Sequence, residues 1–280
     1  MIYFGVLRKW NKDVKAYLGP TVIVVIGETE PITISMIKLG GLMKVKILNP
    51  EQATKLLHYW GMFAAVCYNT QTNEPGKIGK HCLKSGHFSG SRSQYIIFKI
   101  EDCPRDTVDQ LVRHEQGCCK NVRSFRYVNM EDFNCTIPSE IKDNRKLVAM
   151  WHLNMQNTRA LYTAIENYVY EKTKSHERAN EQARKCLPIH TDTAVCIGMD
   201  VEALIHLAHK RLCTRTEEEL NTLTRAIVAH ASAIIPELKP YLVCQCDYLG
   251  WCPETKGCGK KPSKAMLDAI VKEHYNGKSN

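Results

Sequence analysis

From Pro50 to about Tyr68, apolar positions recur three and four residues apart at Ala53, Leu56, Leu57, Trp60 and Ala64, one face of a helix that Pro50 opens. A loop over Asn73–Lys77 leads to a second helix, about Ile78 to Lys84, and Tyr95–Ile100 reads as a strand. The pattern then predicts a helix from about Pro104 to Gln116, with Val108, Leu111 and Val112 inward and Gly117 as its end. Periodicity lapses until Ser124–Val128, whose alternation predicts a strand with Ser124 and Arg126 on one face. Lys142 to about Lys174 is helical through Leu147, Met150, Met155, Leu161, Ile165 and Tyr168, as one long helix or two with a break. A helix over His176–Leu187 stops at Pro188 and carries Arg184 in its last turn, and Thr191–Met199 alternates as a strand. Asp200 caps a helix to about Cys213, and Glu217–Leu238 is the last long helix before Pro240.

The first 42 residues fit this scheme poorly. Thr21–Ile26 and Ile32–Ile37 could pair as a hairpin, which alone buries little. Gly40-Gly41 is what a translated ribosome-binding site would spell, so Met43 is expected to be the native initiator and residues 1–42 an upstream extension.

Composition narrows the class. With 280 residues and 44% hydrophobic content the chain can build one large core or two closely packed ones. No apolar run approaches membrane-spanning length and the N-terminus lacks the features of a secretory signal, so a cytoplasmic protein is expected. Thirteen scattered cysteines read as reduced thiols, and the net charge of +9 favours anionic partners without choosing among nucleotides, nucleic acid or folate-like acids.

The densest candidate chemistry lies in Pro104–Tyr127. Gln110, Arg113 and His114 fall one turn apart on the polar face of their helix, where they either grip one ligand or form a solvated basic side. The Ser124 hydroxyl and Arg126 guanidinium suit a phosphate. The turn Ser85–Arg92 is either a connector or an anion receptor through its amides, His87 and Ser89. Histidines on the helix after Asp200, His206 and His209 among them, read more readily as surface or core groups than as ligands. The tail holds Cys244, Cys246, Cys252 and Cys258 in the spacing C-x-C-x5-C-x5-C, which could close a tetrahedral zinc site or remain four free thiols.

The central stretch resembles the signature of the flavin-dependent thymidylate synthases, R-H-R-x-x-S-x-N-E-x-S-x-R-Y. Here it stands as Arg113-His114-Glu115, then, after one extra residue, Asn121-Val122-Arg123-Ser124-Phe125-Arg126-Tyr127. Gly86-His87-Phe88-Ser89, Ala183-Arg184-Lys185-Cys186-Leu187-Pro188 and Arg211-Leu212-Cys213 resemble further family segments, in consistent order from about Met43 to Leu238. The resemblance implies an α+β fold, a small twisted, mainly antiparallel sheet surrounded by long helices. It also implies a homotetramer with sites at subunit interfaces, binding dUMP, methylenetetrahydrofolate, FAD and NADPH. It places dUMP on Gln110, Ser124, Arg126, Arg184 and Arg211, with Arg211 also the catalytic candidate, and FAD on His87, Ser89, Arg113, His114, Asn121 and His206. Hydride comes from flavin in this family, so Cys118 and Cys119 read as packing rather than as nucleophiles.

Five positions depart from the pattern. Glu115 replaces Arg, Val122 replaces Glu, and in Met199-Asp200-Val201-Glu202 the usual M-N-A-R is acidic at both polar positions. Acids repel a pyrophosphate unless neutralised, so FAD either sits differently, uses Lys120 or Arg123, or is not the cofactor. Arg92, where Glu is usual, is expected to pair with Glu115 as a reversed contact. The resulting division is an extension over 1–42, a catalytic domain over 43–240 and a Cys-rich tail over 241–280. The leading activity is methylation of dUMP; a pyrimidine-nucleotide C5 hydroxymethylase and a non-catalytic nucleic-acid or partner-binding relative are the alternatives.

Overall fold

The computed structural model describes residues 22–25, 33–38 and 41–276, with side chains over 43–274. Its centre is one sheet of six strands: β1 (Val22–Val25), β2 (Thr33–Lys38), β3 (Gly41–Ile47), β4 (Ile96–Pro104), β5 (Cys118–Val122) and β6 (Asp192–Met199). The spatial order is β1-β2-β3-β4-β6-β5 and every neighbouring pair is antiparallel. Alternation decides which face is covered: Met43, Val45 and Ile47, Ile96, Phe98 and Ile100, and Val195, Ile197 and Met199 are all buried. The hairpin expected in the N-terminal segment is present as backbone, Val22 opposite Met36 and Val25 opposite Thr33, and it continues the sheet through β3. The rest of 1–42 lies outside the described residues.

Against the covered face pack α7 (Val201–Arg211) and α8 (Glu218–Ile234), through Leu204, Leu207, Leu220, Leu223 and Ile227. Each such side chain stabilises the fold by about 1.5–3 kcal/mol on burial. Polar contacts fix the layers too, as buried His230 of α8 hydrogen-bonds the backbone of Val45 in β3. The N-terminal helices are α1 (Pro50–Thr54), α2 (Leu56–Cys67) and α3 (Pro75–Ser85). The helix expected over 50–68 is thus broken at Lys55, whose N–H bonds the Gln52 carbonyl only three residues back.

The middle of the chain adds α4 (Arg105–Leu111), α5 (Arg145–Thr173) and α6 (His176–Ala183). The periodic stretch 142–174 is therefore a single helix, opened by the Asn144 side chain accepting the Leu147 N–H and closed by left-handed Lys174. Arg184 lies just beyond α6, in a 3-10 turn over Arg184–Cys186. The strand expected at 124–128 is instead a turn, and the strand is β5, just before it. Phe125 is drawn into a second apolar cluster with Met130, Phe133, Met155, Tyr162 and Ala183, while Ser124 accepts the backbone N–H groups of Arg126 and Tyr127. These local bonds replace ladder bonds. After α8 the tail forms α9 (Gln245–Leu249), which packs against α7, and α10 (Lys264–Asn276), whose described side chains are mostly exposed.

Candidate active site

Gln110 stands in the last turn of α4, and the chain then turns through Arg113 and His114, whose N–H groups bond the carbonyls of Gln110 and Leu111. This keeps Gln110, Arg113 and His114 on one side although the helix is shorter than its pattern suggests. They face α7 across a cleft of about 820 Å³, within the range of small-molecule sites. His206, Lys210 and Arg211 line it from α7, Arg215 and Glu217 from the following loop, and Glu254 from the tail.

The cleft has a fixed electrostatic order. Arg211 Nε donates to His114 Nε2 at 3.0 Å, and the His206 ring meets His114 edge-on with centroids 5.7 Å apart. Burial, then the charges of Arg211, His206 and Lys120, hold His114 at about 4, so near neutrality its imidazole has a lone pair to orient the guanidinium. Gln110 Nε2 donates to the Glu217 carboxylate. The Arg211 carbonyl accepts from Asn221 Nδ2 at 2.7 Å, which ties the helix end to α8.

A second locus surrounds the signature turn. Buried Phe125 anchors it, leaving Ser124 and Arg126 at its rim. Arg126 Nη2 pairs with Glu177 at 2.7 Å, and Nε lies 3.0 Å from Glu181 but is too poorly aligned to hydrogen-bond it. One guanidinium donor is therefore uncommitted. Arg184 is exposed at the end of the same helix, α6. Tyr162 fixes this region from α5, accepting the Met130 N–H at 3.0 Å and donating to Asn180 at 3.3 Å.

Of the residues singled out from sequence, the cleft gathers Gln110, Arg113, His114, Glu115, His206 and Arg211. Ser124, Arg126 and Arg184 do not line it. His87 and Ser89 are exposed on a 3-10 turn, and Asn121 is exposed on edge strand β5. The turn is tied to α7 by Arg92, whose Nη2 and Nε stand 2.8 and 3.2 Å from Glu202 Oε2. This corrects the expected pairing with Glu115: the two departures from the family pattern that answer each other are Arg92 and Glu202. Asp200 is accounted for as well, since its carboxylate is 1% exposed and accepts the Ala203 N–H at 2.8 Å as the cap of α7. Both acids are engaged, and although Glu115, Glu217 and Glu254 also line the cleft, its four cations Arg113, Lys210, Arg211 and Arg215 leave it able to take a phosphate-bearing cofactor such as a flavin nucleotide. Cys118 is pushed up to about 11, chiefly by burial, which makes it a poor nucleophile.

Sequence reasoning missed Lys210, Arg215, Glu217 and Glu254. Glu217 looked like an ordinary helix start, and Glu254 is brought in only because the tail folds back. All thirteen cysteines are free thiols. Among the described residues no three His, Cys, Asp or Glu side chains are already gathered to hold a metal ion, so Cys244, Cys246, Cys252 and Cys258 are not a preformed tetrahedron.

Residues 54–237 match the family model described as "Thymidylate synthase complementing protein". The chain belongs to that family. The match contains the cleft-forming α4, α7 and the signature turn, and stops short of the tail. The chain is 30% identical to the flavin-dependent thymidylate synthase of Nitratidesulfovibrio vulgaris over 187 residues, 66% of this chain and 76% of that protein. It is 30% identical to the enzyme of that name from Pyrococcus furiosus over 75% of this chain and 87% of the relative. With the Clostridium tetani enzyme of the same name it shares 27% identity over 78% of this chain and 94% of the relative.

Proposed function

We propose that this protein converts dUMP to dTMP, with methylenetetrahydrofolate as carbon donor and NADPH as the source of reducing equivalents. The observation that carries this reading is the cleft in which an amide, Gln110, and a guanidinium held by neutral His114, Arg211, face one another within the family-matched region. Reduced flavin, when bound, supplies the hydride. The protein's part is orientation and charge: Gln110 reads the pyrimidine edge, Arg211 touches and polarises the pyrimidine, and Ser124, Arg126 and Arg184 receive the phosphate. Arg113, His114 and His206 hold FAD from the cleft, with His87, Ser89 and Asn121 added from the neighbouring turn and strand.

The nucleotide residues occupy two loci of one chain, which supports sites completed between subunits of a homotetramer in the thymidylate synthase-complementing fold. A ready surface exists on α5, where Leu147, Met150, Leu161 and Tyr168 are exposed along one side of the helix. We take 43–240 as the catalytic unit, 241–280 as the Cys-rich tail and 1–42 as a segment preceding the native start; intact mass of the native protein tests the last point. No helix among the described residues is long and apolar enough to cross a membrane, and the free thiols suit a cytoplasmic setting. The test of the reading is visible absorption: flavin bands perturbed by dUMP support it, and a colourless protein that takes up no added FAD removes it.

A further inference from the structure

The tail leaves a small cavity against the C-terminal half of α7, which shares Lys210, Arg215 and Glu254 with the nucleotide cleft but adds a group of cysteines. Its walls carry Cys244, Cys246, Cys252, Cys258 and His209. The Cys244 and Cys246 sulfurs are 3.5 Å apart, close to the edge of about 3.8 Å that Zn–S bonds of about 2.3 Å give a tetrahedron. Both residues are buried. The Cys246 backbone N–H bonds the Cys244 sulfur, and Cys258 receives the Lys260 backbone N–H and the Thr214 hydroxyl, contacts that hold these side chains in place.

His209 makes the cavity more than a cluster of cysteines. Its Nε2 is buried and has no hydrogen-bond partner, while its other ring nitrogen donates to the Tyr241 carbonyl. That fixes the tautomer with the lone pair on Nε2, the arrangement in which a histidine ligates a metal while its second N–H is held by a carbonyl. Tyr248 packs on the ring, centroids 4.9 Å apart, and holds its orientation. Cations suited to a thiolate-rich centre stand close by: Lys210 and Arg215 line the cavity, and Lys260 feels Cys244 and Cys246.

We propose that this cavity is a structural zinc site in which Cys244, Cys246 and His209 Nε2 are three ligands and a thiolate from the Cys252 and Cys258 wall closes the tetrahedron. Because the set is not gathered beforehand, the metal completes the folding of the tail. The consequence reaches the cleft, since Arg215 Nη1 donates to the Lys256 carbonyl at 2.6 Å and Glu254 lines both cavities.

The test is metal content of the full chain purified without chelator, read by elemental mass spectrometry, together with cobalt(II) substitution. The expected result is one zinc per chain and a cobalt complex with thiolate charge-transfer and tetrahedral d–d bands. His209→Gln and Cys246→Ser are expected to weaken zinc binding about tenfold or more, and His209→Gln to shift the cobalt d–d bands. Cys252→Ser and Cys258→Ser identify the fourth ligand by which one loses the metal. Wild-type protein that binds neither ion, with its thiols reacting equally fast with and without added zinc, overturns the proposal even if a variant misfolds. None of these readouts depends on nucleotide or flavin, so the site and the proposed activity stand or fall separately.

Discussion

His114 and Arg211 show how single residues set the chemistry of the cleft. The depressed His114 value means that protonation is resisted in the folded protein, so this contribution to stability is fully present above the unfolded value near 6.5 and is lost as pH falls toward about 4. Buried His230, also held at about 4, acts in the same direction. Denaturant unfolding is therefore expected to show stability falling between pH 6.5 and 4, with a shallower fall in His114→Gln; an unchanged slope in that variant contradicts the assignment. Protonation also removes the lone pair that holds Arg211. At Arg126, loss of a charge-assisted grip of about 1.5–3 kcal/mol predicts that Arg126→Ala weakens dUMP binding by about tenfold to a hundredfold, measured by calorimetry. Gln110, Arg113 and His114 were legible from helical spacing, and the turn after α4 keeps them on one side although Arg113 and His114 lie beyond the helix. Glu217 and Glu254 were not, because nothing local announces a contact made across 107 or more positions.

At the scale of elements, β5 shows why a strand escaped notice. Its alternation places Cys118, Lys120 and Val122 on the half-buried side, and a lysine there hides the hydrophobic pattern. The structure tolerates it because the Lys120 amine bonds the Val112 carbonyl. The approach to β5 is equally constrained. Gly117 has φ +67°, and a Cβ there would lie 2.4 Å from the Asp200 carboxylate. Gly117→Ala is thus expected to cost more than the roughly 1 kcal/mol of a left-handed alanine, read from the denaturation midpoint. Asp200→Ala should cost about 1 kcal/mol as a lost helix cap, whereas Asp200→Asn, the residue usual in the family, keeps the cap. If Asn destabilises as much as Ala, the capping account fails. Asp200 was legible as a cap from its position before an apolar helix. The partner of Arg92 was not, because both Glu115 and Glu202 were acids in the right family positions and only the packing of the turn on α7 chose between them.

For the molecule as a whole, the alternation of β4 and β6 and the periodicity of α5, α7 and α8 gave the separate strands and helices, whereas the α+β fold with a small sheet came from the family resemblance. They could not give the strand order, which depends on pairings distant in sequence. The long helix α5 carries the clearest statement about assembly. Its buried residues are only Met155, Tyr162 and Glu166, while Leu147, Met150, Leu161 and Tyr168 stay exposed. Met150→Glu with Leu161→Glu is expected to reduce the assembly to smaller species in light scattering and to abolish dUMP binding with it. A tetramer that persists in this variant places the interface elsewhere. The central claim, that the cleft and the signature turn together methylate dUMP, is tested most directly by the mass of the nucleotide formed from dUMP and isotopically labelled methylenetetrahydrofolate with reduced flavin present. A product with the mass of labelled dTMP is the predicted result; a product one oxygen heavier, or unchanged dUMP, contradicts it.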